Sequence, residues 1–263
     1  MLKWCSYCQQ FMGEIPPYDD FGMTHSLCRT CDSEHFDLFD RRELDRSVFL
    51  SEIFQRLFDA GRREDFAMAE GIVEAAVAAD CRPVDILIGM VAPMLYEIGE
   101  EWKRGALSVE SEHRFTAFSE RVIDLVAGKV EQGFGVKRPP LPPQMHATSF
   151  VLMNAPGNRH TLAIRILALW LESRGLRARI VGQELGIDGV MTELIATRPG
   201  YFLMSMSLVG QRDGVAEVAE SIQALPAAIR PKVLVGGYPV KVGQVRSIPA
   251  ASLVADINSL ALS

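Results

Sequence analysis

Four cysteines stand in two pairs near the start of the chain, Cys5-x2-Cys8 and Cys28-x2-Cys31. Two CxxC knuckles each put a pair of thiolates on one tight turn, and together they complete a tetrahedral donor set. That pattern predicts a metal centre with zinc as its occupant, rubredoxin-like iron as the rival, and a pair of disulfides as the third option. A second group lies far downstream. His160 stands in Asn154-Ala-Pro-Gly-Asn158-Arg-His160-Thr-Leu-Ala163, a loop after a predicted strand, and a neutral imidazole there can ligate a metal. Ser205-Met-Ser207 ends another predicted strand and Gly236-Gly237 follows a third. Small residues at strand ends let a long ligand pass between strand and helix without steric conflict. The third group is Trp102, at the end of a predicted helix, followed by nine residues and then Glu112-His113. An indole there offers a broad apolar plate, and the Glu-His pair offers hydrogen bonds.

The elements that must position these groups follow from periodicity. Phe49, Ile53, Phe54 and Leu57 share one face of a helix that begins near Leu44. An Ala-rich helix over 64–79 comes next, then one opened by Arg82-Pro83 and running to Trp102. Gly105 breaks it, and Ser108 is the N-cap of a fourth helix ending near Val130. Four helices with short joints predict a bundle. Residues 131–145 have the Gly- and Pro-rich composition of a linker. Beyond it, short apolar strands at 148–154, 177–181, 201–205, 232–235 and 252–254 alternate with helices near 161–174, 187–197, 212–224 and 240–246, with a last helix closing the chain. That βαβ rhythm predicts a parallel, Rossmann-like (flavodoxin-like) sheet whose ligands sit at the carboxyl ends of the strands. The expected organisation is a four-cysteine zinc module over 1–40, a four-helix bundle over 44–132 and an α/β domain over 146–263.

The downstream spacing has a counterpart. Between Ala163 and Ser205 lie 41 residues, and between Ser207 and Gly236 lie 28. This resembles the Asp-x-His-x-x-Gly, Ser-x-Leu, Gly-Gly series of the cobalamin-binding domain in methionine synthase, methylmalonyl-CoA mutase and the CarH-type photoreceptors. Asn158, Ala163 and Ser207 replace the family's Asp, Gly and Leu. The resemblance implies that His160 is the lower cobalt ligand in place of the cofactor's own dimethylbenzimidazole. It implies too that Ser205, Ser207, Gly236 and Gly237 accommodate the displaced nucleotide tail. Asn158 can still accept a hydrogen bond from an imidazole N–H, without the carboxylate charge that raises ligand basicity. The helical part resembles the cap of the same photoreceptors in Pro83-x-Asp85-Ile-Leu, Gly99-x-x-Trp102 and Trp102-x9-Glu112-His113. There the tryptophan covers the upper face of the corrin and its axial adenosyl group, with the Glu-His pair beside it. The implied cofactor, adenosylcobalamin or hydroxocobalamin, is then held between bundle and sheet. Each residue alone has a bland reading as a loop, core or solvated side chain, and it is the joint spacing that speaks for a site.

The cysteine segment resembles a motif appended to bacterial sensor kinases and response regulators, which ends here as Thr24-His25-Ser26-Leu27-Cys28-Arg29-Thr30-Cys31. That points to signalling. Residues 1–40 carry two cations against seven carboxylates, a net charge of −5, which opposes phosphate neutralisation. A protein partner is therefore expected rather than DNA. The 263 residues carry a net charge of −6 and are 48% apolar and 23% charged, an ordinary globular composition. The start lacks a signal-peptide layout, and no apolar run reaches the roughly 18 residues of a membrane span, so a cytoplasmic protein is expected. Cys81 reads as a small apolar residue, and His35 and His146 as surface or structural. The leading expectation is a non-enzymatic cobalamin-binding sensor of light, redox state or cofactor supply, acting in signalling or transcription regulation, with room for a homo-oligomer. A corrinoid carrier of a methyltransferase system and a haem sensor on the same fold are the alternatives.

Overall fold

Leu2 and Trp4 are fully buried on either side of half-buried Lys3, the alternation of a strand. The computed structural model describes residues 1–35, 41–132, 149–182 and 185–257. Its contacts divide the chain into two units, Met1–Lys137 and Arg138–Ser263. In the first, β1 (Leu2–Cys5) pairs antiparallel with β2 (Phe11–Glu14) and parallel with β3 (Met23–Ser26). The order of this small sheet is β2-β1-β3. Strands of four residues are too short for periodicity to announce them, and none was expected here. Helix α1 (Arg29–His35) follows Cys28 directly and carries Cys31.

The bundle helices are α2 (Arg41–Arg62), α3 (Phe66–Ala78), a long segment over 83–103, and α6 (Val109–Glu131). Asp65 caps α3 by accepting the Met68 N–H, and Ser108 caps α6 by accepting the Ser111 N–H. The long segment is α4 (Pro83–Ile86), a π-helical turn (Leu87–Val91) and α5 (Ala92–Lys103). Pro93 accounts for the wide turn. It cannot donate to the Gly89 carbonyl, and its ring crowds that carbonyl in a regular α-helix. The end of α5 is also determined locally. Gly105, at φ 72°, donates to Trp102 O and Ala106 to Glu101 O, the paired bonds of a glycine C-cap. Buried Leu50, Ile53, Phe54, Leu57, Met90, Met94, Phe115, Val122 and Ile123 fill the core.

In the second unit β4 (Ser149–Asn154), β5 (Arg177–Val181), β6 (Tyr201–Met206), β7 (Lys232–Gly237) and β8 (Ser252–Leu253) form one parallel sheet of order β5-β4-β6-β7-β8. Helices α7 (Leu162–Ser173), α8 (Gly186–Thr197) and α9 (Arg212–Gln223) are the crossovers. Val151, Met153, Phe202, Met204 and Val235 pack with Val190, Leu194, Val215 and Ile222 on one face, while Phe150 and Tyr201 stack on the other. The helix expected near 240–246 is the shorter α10 (Tyr238–Lys241), opened by Pro239 and followed by Gly243 at φ 74°. The His35 side chain, His146 and the expected closing helix beyond 257 lie outside the described residues.

Candidate functional site

Cys5 ends β1, Cys8 lies in the turn that follows, and Cys28 precedes α1, which carries Cys31. Their four sulfurs all lie within 4.8 Å of one another, with Cys8 and Cys28 at 3.8 Å. A tetrahedral ion with metal–sulfur bonds of about 2.3 Å needs sulfurs about 3.8 Å apart, so the donor set fits one. The Cys28 N–H donates to Cys5 Sγ at 3.4 Å, a contact that favours thiolate. The thiols titrate as a group. A hydrogen bond from Cys8 holds Cys5 down to about 4, the same pairing raises Cys8, and burial lifts Cys31 to about 12. A bound cation would resolve that conflict by deprotonating the set.

This segment is pinned to the helices. Gln9, next after Cys8 and held at φ 57°, accepts the Cys81 thiol proton at 2.9 Å. The Phe11 N–H donates to Asp85 Oδ2 at 3.1 Å, and Arg82 grips the same carboxylate at 2.7 and 2.8 Å. Asp85 is only 1% exposed, so these bonds answer a charge that burial would otherwise penalise. The Trp4 and Phe11 rings, 5.2 Å apart, lie against Gly89 in the π-helical turn. Cys81 is thus buried as expected but is also a donor, and burial lifts its thiol to about 12, which keeps the proton in place.

Asn154, Ser205 and Gly236 are register partners across β4, β6 and β7, so they share one face at the carboxyl end of the sheet. His160 is exposed in the loop after β4. Asn158, fully buried, shapes that loop. Its Nδ2 donates to Ser205 O at 3.0 Å, and its Oδ1 accepts from the His160 backbone N–H at 3.1 Å and from Ser207 Oγ at 2.7 Å. These two bonds to Oδ1 come from loop groups, and the Ser207 hydroxyl is directed at Asn158. Gly236 and Gly237 were expected after the strand but are its last two residues. A Cβ on Gly237, at φ 110°, would meet Met206 O at 2.0 Å, so only glycine permits this approach.

Trp102 lies in the last turn of α5 and is 44% exposed. That sets aside the reading of Trp102 as ordinary core. Glu112 and His113 stand near the start of α6. Glu112 accepts from Thr116 Oγ1 at 2.9 Å, its Oε2 is 3.6 Å from His113 Nε2, and the His113 side chain is 73% exposed.

Sequence reasoning missed three features. Leu208 and Val209, exposed by 53% and 45%, follow Ser207 at the same sheet end, an apolar edge that no motif marks. Asn154 is 5% exposed, with Oδ1 unpartnered among the described residues. The sequence shows the residue, but an amide ending an otherwise apolar strand is a signal only once its burial is known. The Gln9–Cys81 and Phe11–Asp85 bonds join residues more than 70 positions apart, beyond any local pattern.

Comparison with known proteins sets these parts in context. Residues 53–126, from within α2 to within α6, match the model of the B12 binding domain family. The HTH-type transcriptional repressor CarH of Myxococcus xanthus is 27% identical over 168 residues, which is 64% of this chain and 49% of that protein. The chain therefore spans about half the length of that curated relative. Among solved structures, the monomethylamine corrinoid protein of Methanosarcina barkeri has a TM-score of 0.63 at 16% identity, covering 78% of this chain and 92% of the other. That likeness is one of fold. The chain thus carries a helical segment that matches the B12 binding domain family over residues 53–126, a parallel α/β unit after it and a four-cysteine segment ahead of both.

Proposed function

We propose that the chain is a cobalamin-binding sensor that signals through a regulatory protein partner and catalyses no reaction itself. The observation that carries this reading is the carboxyl end of the sheet, where exposed His160 stands in the loop after β4 and the small residues Ser205 and Gly236 share a row with Asn154. His160 is the lower ligand in this reading, with Ser205, Gly236 and Gly237 along the nucleotide tail. Trp102 covers the upper face, and Glu112 and His113 bond its polar groups. Asn158 positions the His160 loop. The exposed indole of Trp102 supports an upper ligand with a bulky group. The four sulfurs take zinc, and the acidic segment that holds them favours a protein partner over DNA. No described helix is long and apolar enough to cross a membrane, and a cytoplasmic setting agrees with the reduced cysteines of the reading.

The second reading is a corrinoid carrier of a methyltransferase system. A corrinoid protein with the same fold accommodates it, but a methyl shuttle must open its upper face to a second protein. Reconstitution of the purified chain tests both against the haem alternative. Cobalamin bands with tighter retention of adenosylcobalamin than methylcobalamin are expected. Haem bands with no cobalamin uptake would overturn the proposal, and preference for methylcobalamin with methyl transfer to a thiol acceptor would favour the carrier.

A further inference from the structure

Asn154 is the last residue of β4, directly before the loop that carries His160. It is 5% exposed, yet among the described residues its Oδ1 has no hydrogen-bond partner. A buried acceptor left this way carries its full desolvation cost, so native proteins keep such a group where a ligand or water answers it. The register shows what lies beside it. Asn154 pairs with Ser205, and Ser205 with Gly236, all three on one face because paired residues of a parallel sheet project together. One layer deeper on that face, Leu152, Leu203 and Leu234 form the next row and are buried. Apolar leucines thus give way, at the strand ends, to an amide, a hydroxyl and a bare backbone. Ser205 and Gly236 are only half-buried, so this row borders space that the leucine row does not. A Cβ on Gly236 would already press on Val254 O at 3.0 Å, which keeps side-chain bulk out of the row.

We infer that Asn154 is a binding residue for the nucleotide tail of the corrinoid, its Oδ1 accepting from a hydroxyl or amide N–H of that tail. The inference rests on the proposed cobalamin reading and adds a residue that no family motif marks. It also gives Asn154 a specificity role. A corrinoid that lacks the nucleotide has nothing to offer the amide, and leaves it as unpartnered as before.

The test compares cobalamin with cobinamide, which lacks the nucleotide, on the intact chain and on Asn154→Val and Asn154→Thr. Valine suits a strand and removes the unpartnered acceptor, so the ligand-free variant should melt no lower than the parent. Its affinity for cobalamin should fall about tenfold, the worth of one hydrogen bond, while cobinamide affinity changes less than about twofold on the same scale. Threonine retains a hydroxyl and should recover part of the loss for cobalamin alone. Equal losses for both corrinoids, no loss for either, or a destabilised ligand-free Asn154→Val chain would overturn the inference. Failure of the parent chain to bind any corrinoid would instead overturn the functional reading beneath it.

Discussion

Replacing Gly89 by alanine probes the seam between the cysteine segment and the helices. In an exposed helix the exchange stabilises by up to about 1 kcal/mol, because alanine loses less backbone freedom on folding. At Gly89 the new Cβ would stand 2.4 Å from Trp4 Cζ2 and 2.8 Å from Phe11 Cδ2. Neither ring can yield cheaply, since Trp4 is fully buried and Phe11 is tied through its N–H to Asp85. Overpacking of this kind costs about 1–3 kcal/mol. The net sign is therefore destabilising and local. Gly71, in the middle of α3, is the control, because a Cβ there meets nothing within 4 Å. Hydrogen exchange followed by mass spectrometry resolves the two regions. Gly89→Ala should speed exchange roughly 5- to 150-fold in peptides covering 2–5 and 87–91, the equivalent of that cost. Gly71→Ala should slow exchange in α3. If Gly89→Ala protects its own turn as Gly71→Ala does, the packing of Trp4 and Phe11 on that glycine is wrong.

Other expectations follow from single observations. Trp102→Ala should leave the ligand-free chain within about 0.5 kcal/mol of the parent, because the indole is already exposed. It should weaken adenosylcobalamin more than hydroxocobalamin, and equal losses would deny Trp102 the upper face. Elemental analysis of the chain purified without added metal should find about one zinc, lost in Cys28→Ser, whereas two disulfides and no metal would refute the centre. Glu97 is held above the usual carboxylate range by burial first and by Glu101 next, against Arg62 and Arg104. Its charge thus opposes folding at neutral pH, and stability is recovered as pH falls through the raised value. Glu97→Gln should be the more stable chain near neutrality, with the difference vanishing in acid. A less stable variant at neutral pH would reverse the sign of that assignment.

Much of the fold was legible because it is written at short range. Ser108, Pro83 and Gly105 delimit helices through bonds within a few residues, and they sit where the caps require them. Strand Arg177–Val181 was read to the residue, since Gly175 and Gly182 bracket an apolar-basic run. The N-terminal sheet was not legible. Its strands are held by a segment-to-helix seam whose bonds join Gln9 to Cys81 and Phe11 to Asp85, and no window of sequence contains both partners. The four-cysteine cluster was readable because its CxxC spacing is itself local. The site at the sheet end was readable only in part. Motif spacing singled out His160, Ser205 and Gly236, but the bonds that occupy Asn158 and the isolation of Asn154 are products of burial. The π-helical turn likewise needed the structure, although Pro93 was its visible cause.

The central claim is that His160 replaces the cofactor's own base at cobalt. Electron paramagnetic resonance of the chain loaded with cobalamin in the Co(II) state reads that nitrogen directly. Protein labelled with nitrogen-15 at histidine should split each cobalt line into a doublet, from one coordinating imidazole of spin one-half. The same sample made with His160→Ala should lose the doublet. A triplet in the labelled parent chain would show dimethylbenzimidazole still on cobalt, and the assignment of His160 as lower ligand would be wrong.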